Sequence, residues 1–225
     1  MLIEALSLWL AGTNAWFVAP DGAGGECVLV DAPPDPAAIA GYLADRQLRL
    51  VAILATHGHV DHVGGIASVV RAQPAPVPVG IHDADRHMLA DPVGTGGALG
   101  RWLEQAGLDV RPPELVHGLD DGQKVRGAGM TFTCIHTPGH TPGSTCLMLE
   151  VDGEPARLFS GDHLFRGSIG RTDLPGGSFD DLMASMAARI LPLDGAVVVL
   201  PGHGPATTIA EERRLNPFLQ GLRPG

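Results

Sequence analysis

Four side chains of metal-binding type fall within six residues at positions 57–62 of this 225-residue chain. They lie in the string Thr56-His57-Gly58-His59-Val60-Asp61-His62, directly after the apolar run Leu50 to Ala55. An apolar run bounded by turn residues predicts a buried strand, so the four sit at a strand's C-terminal mouth, a position that suits an open site. In extended chain, side chains two apart point the same way. His57 and His59 can therefore grip one ion, while Asp61 and His62, where the chain turns into a helix, face a second. A lone histidine is more often structural than ligating. An H-x-H-x-D-H string beside a strand end fits an accident of the surface poorly.

Around this string the sequence alternates between β and α character. Strands are expected at Leu2 to Leu8, Asn14 to Val18, Glu26 to Val30 and Leu50 to Leu54, with a helix from Pro36 to Leu43 after an Asp35 cap. A short helix at Ile66 to Val70 and a strand at Val77 to Ile81 follow. Two helical segments then flank the glycine-rich stretch 94–100, which reads as a mobile loop. β character returns at Met130 to Ile135, Ser144 to Val151 and Leu158 to Ser160, the last two joined across Asp152-Gly153, a favoured hairpin pair. Ser178 to Asp181 and Thr208 to Glu211 have the pattern of capped helix starts, with an apolar strand at Ala196 to Leu200 between them. Two β-rich halves, each shielded by helices on its outer face, pack most economically as a four-layer αββα sandwich. One domain over 1–225 is the expectation.

Composition narrows the partners. Hydrophobic residues make up 44% and charged residues 18%, a globular profile. The formal net charge is −10, and the fifteen basic residues are scattered from Arg46 to Arg223. Nucleic-acid binding needs clustered Lys and Arg, so no nucleic-acid partner is expected, and an anionic substrate must be drawn in locally. Cys27, Cys134 and Cys146 are widely spaced without a CxxC pair and read as reduced core thiols. The N-terminal run carries Glu4 and no basic start, so neither a signal peptide nor a membrane span is expected, and the cytoplasm is the simplest address.

The string at 56–62 resembles the signature of the metallo-β-lactamase superfamily, and three later segments resemble its remaining motifs in the same order. In HTPGHTPGS the family's metal ligand falls on His140, in SGDHLF its bridging carboxylate falls on Asp162, and in LPGHGP its last ligand falls on His203. The likeness runs from about the first strand to Leu219. It implies two divalent ions about 3.5 to 4 Å apart, with His57, His59 and His140 on one, Asp61, His62 and His203 on the other, and Asp162 shared. Asp61 and Asp162 are then the expected catalytic carboxylates. A water shared by the ions would lose a proton near neutral pH and attack a polarised carbonyl. Zinc suits imidazole and carboxylate ligands, and iron or manganese would fit the same set.

His136 is expected in a strand, because Pro138 and Gly139 break any helix to His140, and His163 on the face opposite Asp162. Either could support a ligand, but structural roles are the simpler reading, as they are for His82, His87 and His117. Asp31, closing the strand VLVD, allows two readings: orienting a ligand histidine, or starting the turn at Ala32-Pro33-Pro34.

Within the superfamily, HLFRGSIGRTDLPGGS at 163–178 and PGHGPATTIAEERRLNPFL at 201–219 resemble single-domain relatives of the hydroxyacylglutathione hydrolases. That likeness implies hydrolysis of a small-molecule thioester such as S-lactoylglutathione, with Arg171 and Arg166 pairing to a substrate carboxylate, in a monomer or homodimer. The chain departs from that branch in ending 22 residues after His203, without the C-terminal helical domain that contacts glutathione. Its only lysine is Lys124 and its only tyrosine Tyr42, neither in the loop where the branch carries them. Gly170 to Asp173 also resembles the superfamily's iron-dependent persulfide dioxygenases, which use one ion at positions matching His57, His140 and Asp162. The PGHG setting of His203 favours the hydrolase. Export without a signal peptide counts against a β-lactamase, and the scattered basic residues count against a ribonuclease.

Overall fold

Buried side chains along the strands alternate between two surroundings, and this alternation defines the layers. The computed structural model describes residues 1–222, so Arg223, last of the scattered basic residues, lies outside it. The first half runs β1 (Leu2–Leu8), β2 (Thr13–Ala19), β3 (Glu26–Val30), α1 (Pro36–Asp45), β4 (Arg49–Leu54), α2 (Val60–Val63), α3 (Ile66–Arg71), β5 (Val79–Ile81), α4 (Arg86–Ala90), α5 (Pro92–Thr95), α6 (Gly97–Gln105) and β6 (Val116–Gly118). The second half runs β7 (Lys124–Gly127), β8 (Met130–His136), β9 (Thr145–Leu149), β10 (Arg157–Gly161), β11 (Leu164–Phe165), β12 (Ser168–Ile169), α7 (Phe179–Ser185), β13 (Val198–Pro201), β14 (Thr207–Thr208) and α8 (Ile209–Leu215).

The first sheet has the order β1-β2-β3-β4-β5-β6, antiparallel from β1 to β3 and parallel from β3 to β6. The second has the order β14-β13-β10-β9-β8-β7, with β10 and β13 as its parallel pair. In β2, Ala15, Phe17 and Ala19 face a core shared with Ile39 and Leu43 of α1 and Ile66 and Val69 of α3. The intervening Trp16 and Val18 face a second core, with Val28 and Val30 from their own sheet and Phe132, Leu147, Leu149 and Phe159 from the other. In the second sheet Cys146, Met148 and Leu158 turn outward, to Leu182 of α7 and Ile209 of α8. Period-two alternation thus puts one apolar layer between the sheets and one beneath the helices on each outer face. The architecture is the αββα sandwich.

Helix starts follow the cap chemistry in the sequence. Asp35 accepts from Ala38 N, Ser178 from Asp181 N and Thr208 from Glu211 N. The glycine-rich stretch 94–100 differs from expectation: it is not a loop but the end of α5 and the start of α6. Asp91 Oδ1 accepts from Gly94 N at 2.8 Å and caps α5. A Cβ on Gly96 would lie 2.1 Å from Val60 Cγ2, and one on Gly100 2.3 Å from the carbonyl of Pro92. These glycines let two short helices pack against each other and against the 56–62 segment. Among the described residues, no helix is long and apolar enough to cross a membrane.

All three cysteines are free and fully buried, and burial pushes the Cys27 and Cys146 thiols up to about 12. Because the thiolate is the reactive form, none should react with a disulfide reagent such as DTNB in the native protein, and all three should react in denaturant. A thiol titrating at native rates like a free one would contradict this packing.

Candidate metal centre

β4 ends at Leu54, and the chain emerges at the edge of the sandwich as Ala55-Thr56-His57 before α2 begins at Val60. The other groups arrive at the same edge from the second sheet: His140 in the turn between β8 and β9, Asp162 just after β10, and His203 just after β13. Backbone bonds tie the two sheets here, from Asn14 N to the Gly202 carbonyl at 2.7 Å and from Thr145 N to the Thr56 carbonyl at 2.8 Å.

All seven residues expected as ligands meet at this edge. His57, His59 and His140 form one group, Asp61, His62 and His203 a second, and His57, His62 and Asp162 a third that joins them, the ligand atoms of each group lying within 4.8 Å of one another. His140 Nε2 is 2.8 Å from His59 Nδ1 and 3.2 Å from His57 Nε2. On the other side His203 Nε2 is 3.3 Å from His62 Nε2 and 3.2 Å from Asp61 Oδ2. Asp162 lies between: Oδ1 is 3.2 Å from His62 Nε2, while Oδ2 is 3.5 Å from His140 Nε2 and 3.4 Å from His203 Nε2. These are candidate binuclear metal clusters. His57 and His62 are buried, whereas His59, Asp61, Asp162 and His203 keep partial exposure, which leaves the centre open to a substrate.

The nitrogens facing away from the cluster are fixed by hydrogen bonds, which sets ring orientation. His140 Nδ1 meets the Arg171 carbonyl at 2.7 Å, His203 Nδ1 the Ala11 carbonyl at 3.2 Å, and His57 Nδ1 lies 3.1 Å from Thr56 Oγ1. His62 Nδ1 meets Asp31 Oδ2 at 2.7 Å, and Asp31 also accepts from Thr56 N and Thr56 Oγ1, both at 2.8 Å. Of the two readings of Asp31, the geometry selects the first: it orients His62. Thr13 Oγ1 donates to Asp61 Oδ2 at 3.1 Å. Thr13, the Ala11 carbonyl and Asp85, whose carboxylate bonds to the backbone of the 56–62 segment, were not legible as site residues, because no local pattern marks them.

Arg171 reaches the site through its backbone carbonyl, while its guanidinium is paired with Asp173 at 2.7 and 2.8 Å. Arg166 is exposed in the turn between β11 and β12. His136 closes β8 and stacks on His82, with ring centroids 4.0 Å apart, outside the cluster. His163 is buried beside Asp162, with neither ring nitrogen paired, and burial pushes it down to about 3, so it stays neutral.

The electrostatics fit a cation. Asp162 Oδ1 is buried and makes no well-aligned hydrogen bond, although His62 Nε2 lies 3.2 Å away, and an under-satisfied buried carboxylate oxygen is costly. Burial and neighbouring imidazoles hold His57 well below the ordinary range, burial and His140 put His59 at about 4, and burial lowers His140, so all three stay in the neutral form a metal needs. On the other side burial opposes charge, but Asp162 and Asp61 outweigh it: His62 is raised well above its ordinary value and His203 to about 9. Burial also opposes charge on Asp61 and Asp162, and neighbouring imidazolium still draws Asp61 down to about 2 and Asp162 well below the carboxylate range. The two carboxylates thus collect protons on His62 and His203, and divalent ions would displace them.

Residues 8–203 match the metallo-beta-lactamase superfamily, and the chain belongs to it. The BLEG-1 B3 metallo-beta-lactamase structure superposes with a TM-score of 0.85 at 37% identity, covering 98% of this chain and 100% of that one. The TTHA1623 structure in a di-iron-bound form gives 0.76 at 36% identity, covering 96% and 100%. The hydroxyacylglutathione hydrolase GloC of Haemophilus influenzae is 35% identical over 198 residues, 86% of this chain and 87% of that protein. Fold, clusters and family together define a metal-dependent enzyme of this superfamily with candidate binuclear metal sites.

Two outcomes are expected. Zinc binding to chelator-stripped protein at pH 7 should release protons, because groups raised above neutrality are protonated before the metal arrives. Calorimetry in buffers of different ionisation enthalpy should show the release, and affinity should strengthen from pH 6 to pH 9; a buffer-independent enthalpy would contradict the assignment to His62 and His203. Asp162→Ala should lose both ions by elemental analysis, and two ions retained per chain would refute its shared position.

Proposed function

We propose that this protein is a thioester hydrolase acting through two divalent ions, with S-acyl glutathiones of hydroxy acids or related thiol esters as substrates. In this reading both sheets form one catalytic domain, with His57, His59 and His140 holding one ion, Asp61, His62 and His203 the other, and Asp162 both. Bound there, the ions supply Lewis acidity and a water whose proton is lost near neutral pH. Zinc is the metal we propose first, and the likeness to a protein crystallised in a di-iron-bound form keeps iron in view.

One observation carries the reading: both half-sites are fully furnished and meet at Asp162. A single-ion oxygenase, the persulfide dioxygenase alternative, would use His57, His140 and Asp162 within an overlapping motif, and the PGHG setting of His203 with the NPFL tail favours the hydrolase. The kinship with a hydroxyacylglutathione hydrolase over most of both chains supports the choice of bond.

The chain's own groups have defined tasks in this reaction. Thr13 and Asp31 hold Asp61 and His62 in place, and the Arg171 and Ala11 carbonyls hold His140 and His203. Asp61 and Asp162 are the carboxylates proposed as catalytic; held ionised, they would orient the attacking water by accepting its hydrogen bonds. Arg171 and Arg166 are the cations proposed to meet a substrate carboxylate; Arg171 would exchange its exposed partner Asp173 for the substrate, at small cost because solvent screens an exposed pair.

Steady-state hydrolysis of S-lactoylglutathione by protein of counted metal content tests reaction and cofactor together. Turnover with about two ions per chain, the two-metal expectation, would support the proposal. No turnover of this or any simple acyl thioester, together with one iron per chain and oxygen uptake on a persulfide, would replace it with the dioxygenase. Hydrolysis of a β-lactam in preference to the thioester would replace it with a lactamase.

A further inference from the structure

Asp85 lies in a short helical turn between β5 and α4, in the string Ile81-His82-Asp83-Ala84-Asp85-Arg86, and is completely buried. No arginine, lysine or histidine pairs with it among the described residues. Its charge is met by three donors instead. Asp85 Oδ2 accepts from Gly58 N at 2.9 Å and from Thr141 Oγ1 at 2.6 Å, and Oδ1 accepts from Gly143 N at 2.8 Å. Hydrogen bonds to an ionised acceptor are roughly twice as strong as neutral ones, and three of them from two separate loops make a clamp.

The positions of the donors give the clamp its meaning. Gly58 lies between His57 and His59, and Thr141 follows His140, so two of the three bonds end on a residue adjacent to a member of one half-site, and the third, at Gly143, ends in the same turn as His140. No bond from Asp85 reaches a neighbour of Asp61, His62 or His203, which have Thr13, Asp31 and the Ala11 carbonyl instead. The fit is tight at both loops. A Cβ on Gly58 would lie 2.7 Å from Met88 Cβ, and one on Gly143 2.6 Å from Asp85 Cγ. Thr141 is locked further by Ser144, whose Oγ accepts from Thr141 N at 3.0 Å and lies 2.8 Å from Thr141 Oγ1.

We infer that Asp85 is a positioning residue that sets the separation of the His57-Gly58-His59 segment from the His140 turn, and so tunes metal affinity at that half-site alone. The inference rests on the two-ion reading above, and its test separates the two. Asp85→Asn preserves shape, but its carboxamide turns an NH2 toward a donor and loses acceptor capacity at one loop.

Zinc titration of chelator-stripped protein by calorimetry, read beside thermal unfolding, is the experiment. Asp85→Asn should weaken one of the two binding steps by about 10- to 100-fold, the usual effect of removing a group that orients a ligand, and leave the other step within a few-fold. In a His140→Ala background the substitution should add little more, since the affected half-site is already broken. Equal weakening of both steps, or of neither, would overturn the inference. Should Asp85→Asn fail to fold, Thr141→Val removes one bond of the clamp and must show the same selectivity. A wild-type protein that binds no second ion would defeat the two-ion reading. The clamp is then judged by amide hydrogen exchange: Asp85→Asn must accelerate Gly58 and Gly143 while sparing Asn14, whose N–H bonds Gly202 beside His203, and uniform exchange would overturn it.

Discussion

Five imidazoles and the Asp61 carboxylate packed around Asp162 form an arrangement that positive charge stabilises, and the rest of the architecture imposes it. A buried carboxylate oxygen without a well-aligned donor, as at Asp162 Oδ1, is expensive: about 1–3 kcal/mol for an unsatisfied polar atom and more for a charged one. The ligands come from four strand ends in two sheets, so the distances within the cluster are inherited from how the sheets pack. Trp16 shows the link: its ring lies edge-on to Phe159 in the core between the sheets, with centroids 6.1 Å apart, and its Nε1 donates to the Pro201 carbonyl at 3.0 Å, two residues before His203. Repacking that core would move a ligand.

Crowding at the same place constrains the backbone. Gly202 passes so close to the centre that a Cβ would lie 2.4 Å from Asp162 Oδ1 and 2.6 Å from His62 Cε1. Gly161 holds a left-handed φ of +49° against Thr56, where a Cβ would lie 2.5 Å from the Thr56 hydroxyl. The glycines of SGDH and PGHG are therefore part of the ligand geometry, since a side chain there would occupy the space of the carboxylate or of the threonine that Asp31 holds.

What was legible in the sequence was local. The H-x-H-x-D-H string, the apolar runs of β2 and β8, and the caps at Asp35, Ser178 and Thr208 each rest on residues a few positions apart, where spacing translates directly into geometry. Asp31 was half legible: its place at a strand end was clear, but the bond to His62, 31 residues on, was not. Asp85 lies 56 residues from Thr141 and 58 from Gly143, and the Ala11 carbonyl that holds His203 is a backbone atom 192 residues away. No pattern in a linear string encodes such pairings. The stretch at 94–100 misled for a different reason: glycine is a poor helix former, and only the closeness of Val60 and Pro92 makes its missing side chain an advantage.

The same centre bears on how an acidic chain could handle an acidic substrate. With a net charge of −10, the long-range field repels a glutathione conjugate, and no lysine lies near the site to offset it. In the proposed state two divalent ions outweigh the carboxylates of Asp61 and Asp162 and the hydroxide formed from their water, leaving the mouth of the centre positive by about one charge, and bound ions dominate the local field in such sites. Attraction then acts only within roughly a Debye length, about 8 Å at physiological ionic strength, so recognition falls to groups that close to the ions. Arg171 is the cation we propose for that role, because its backbone carbonyl bonds His140 Nδ1 at 2.7 Å and so starts its side chain beside the cluster. In the proposed reaction its guanidinium would leave Asp173, an exposed partner, for a substrate carboxylate.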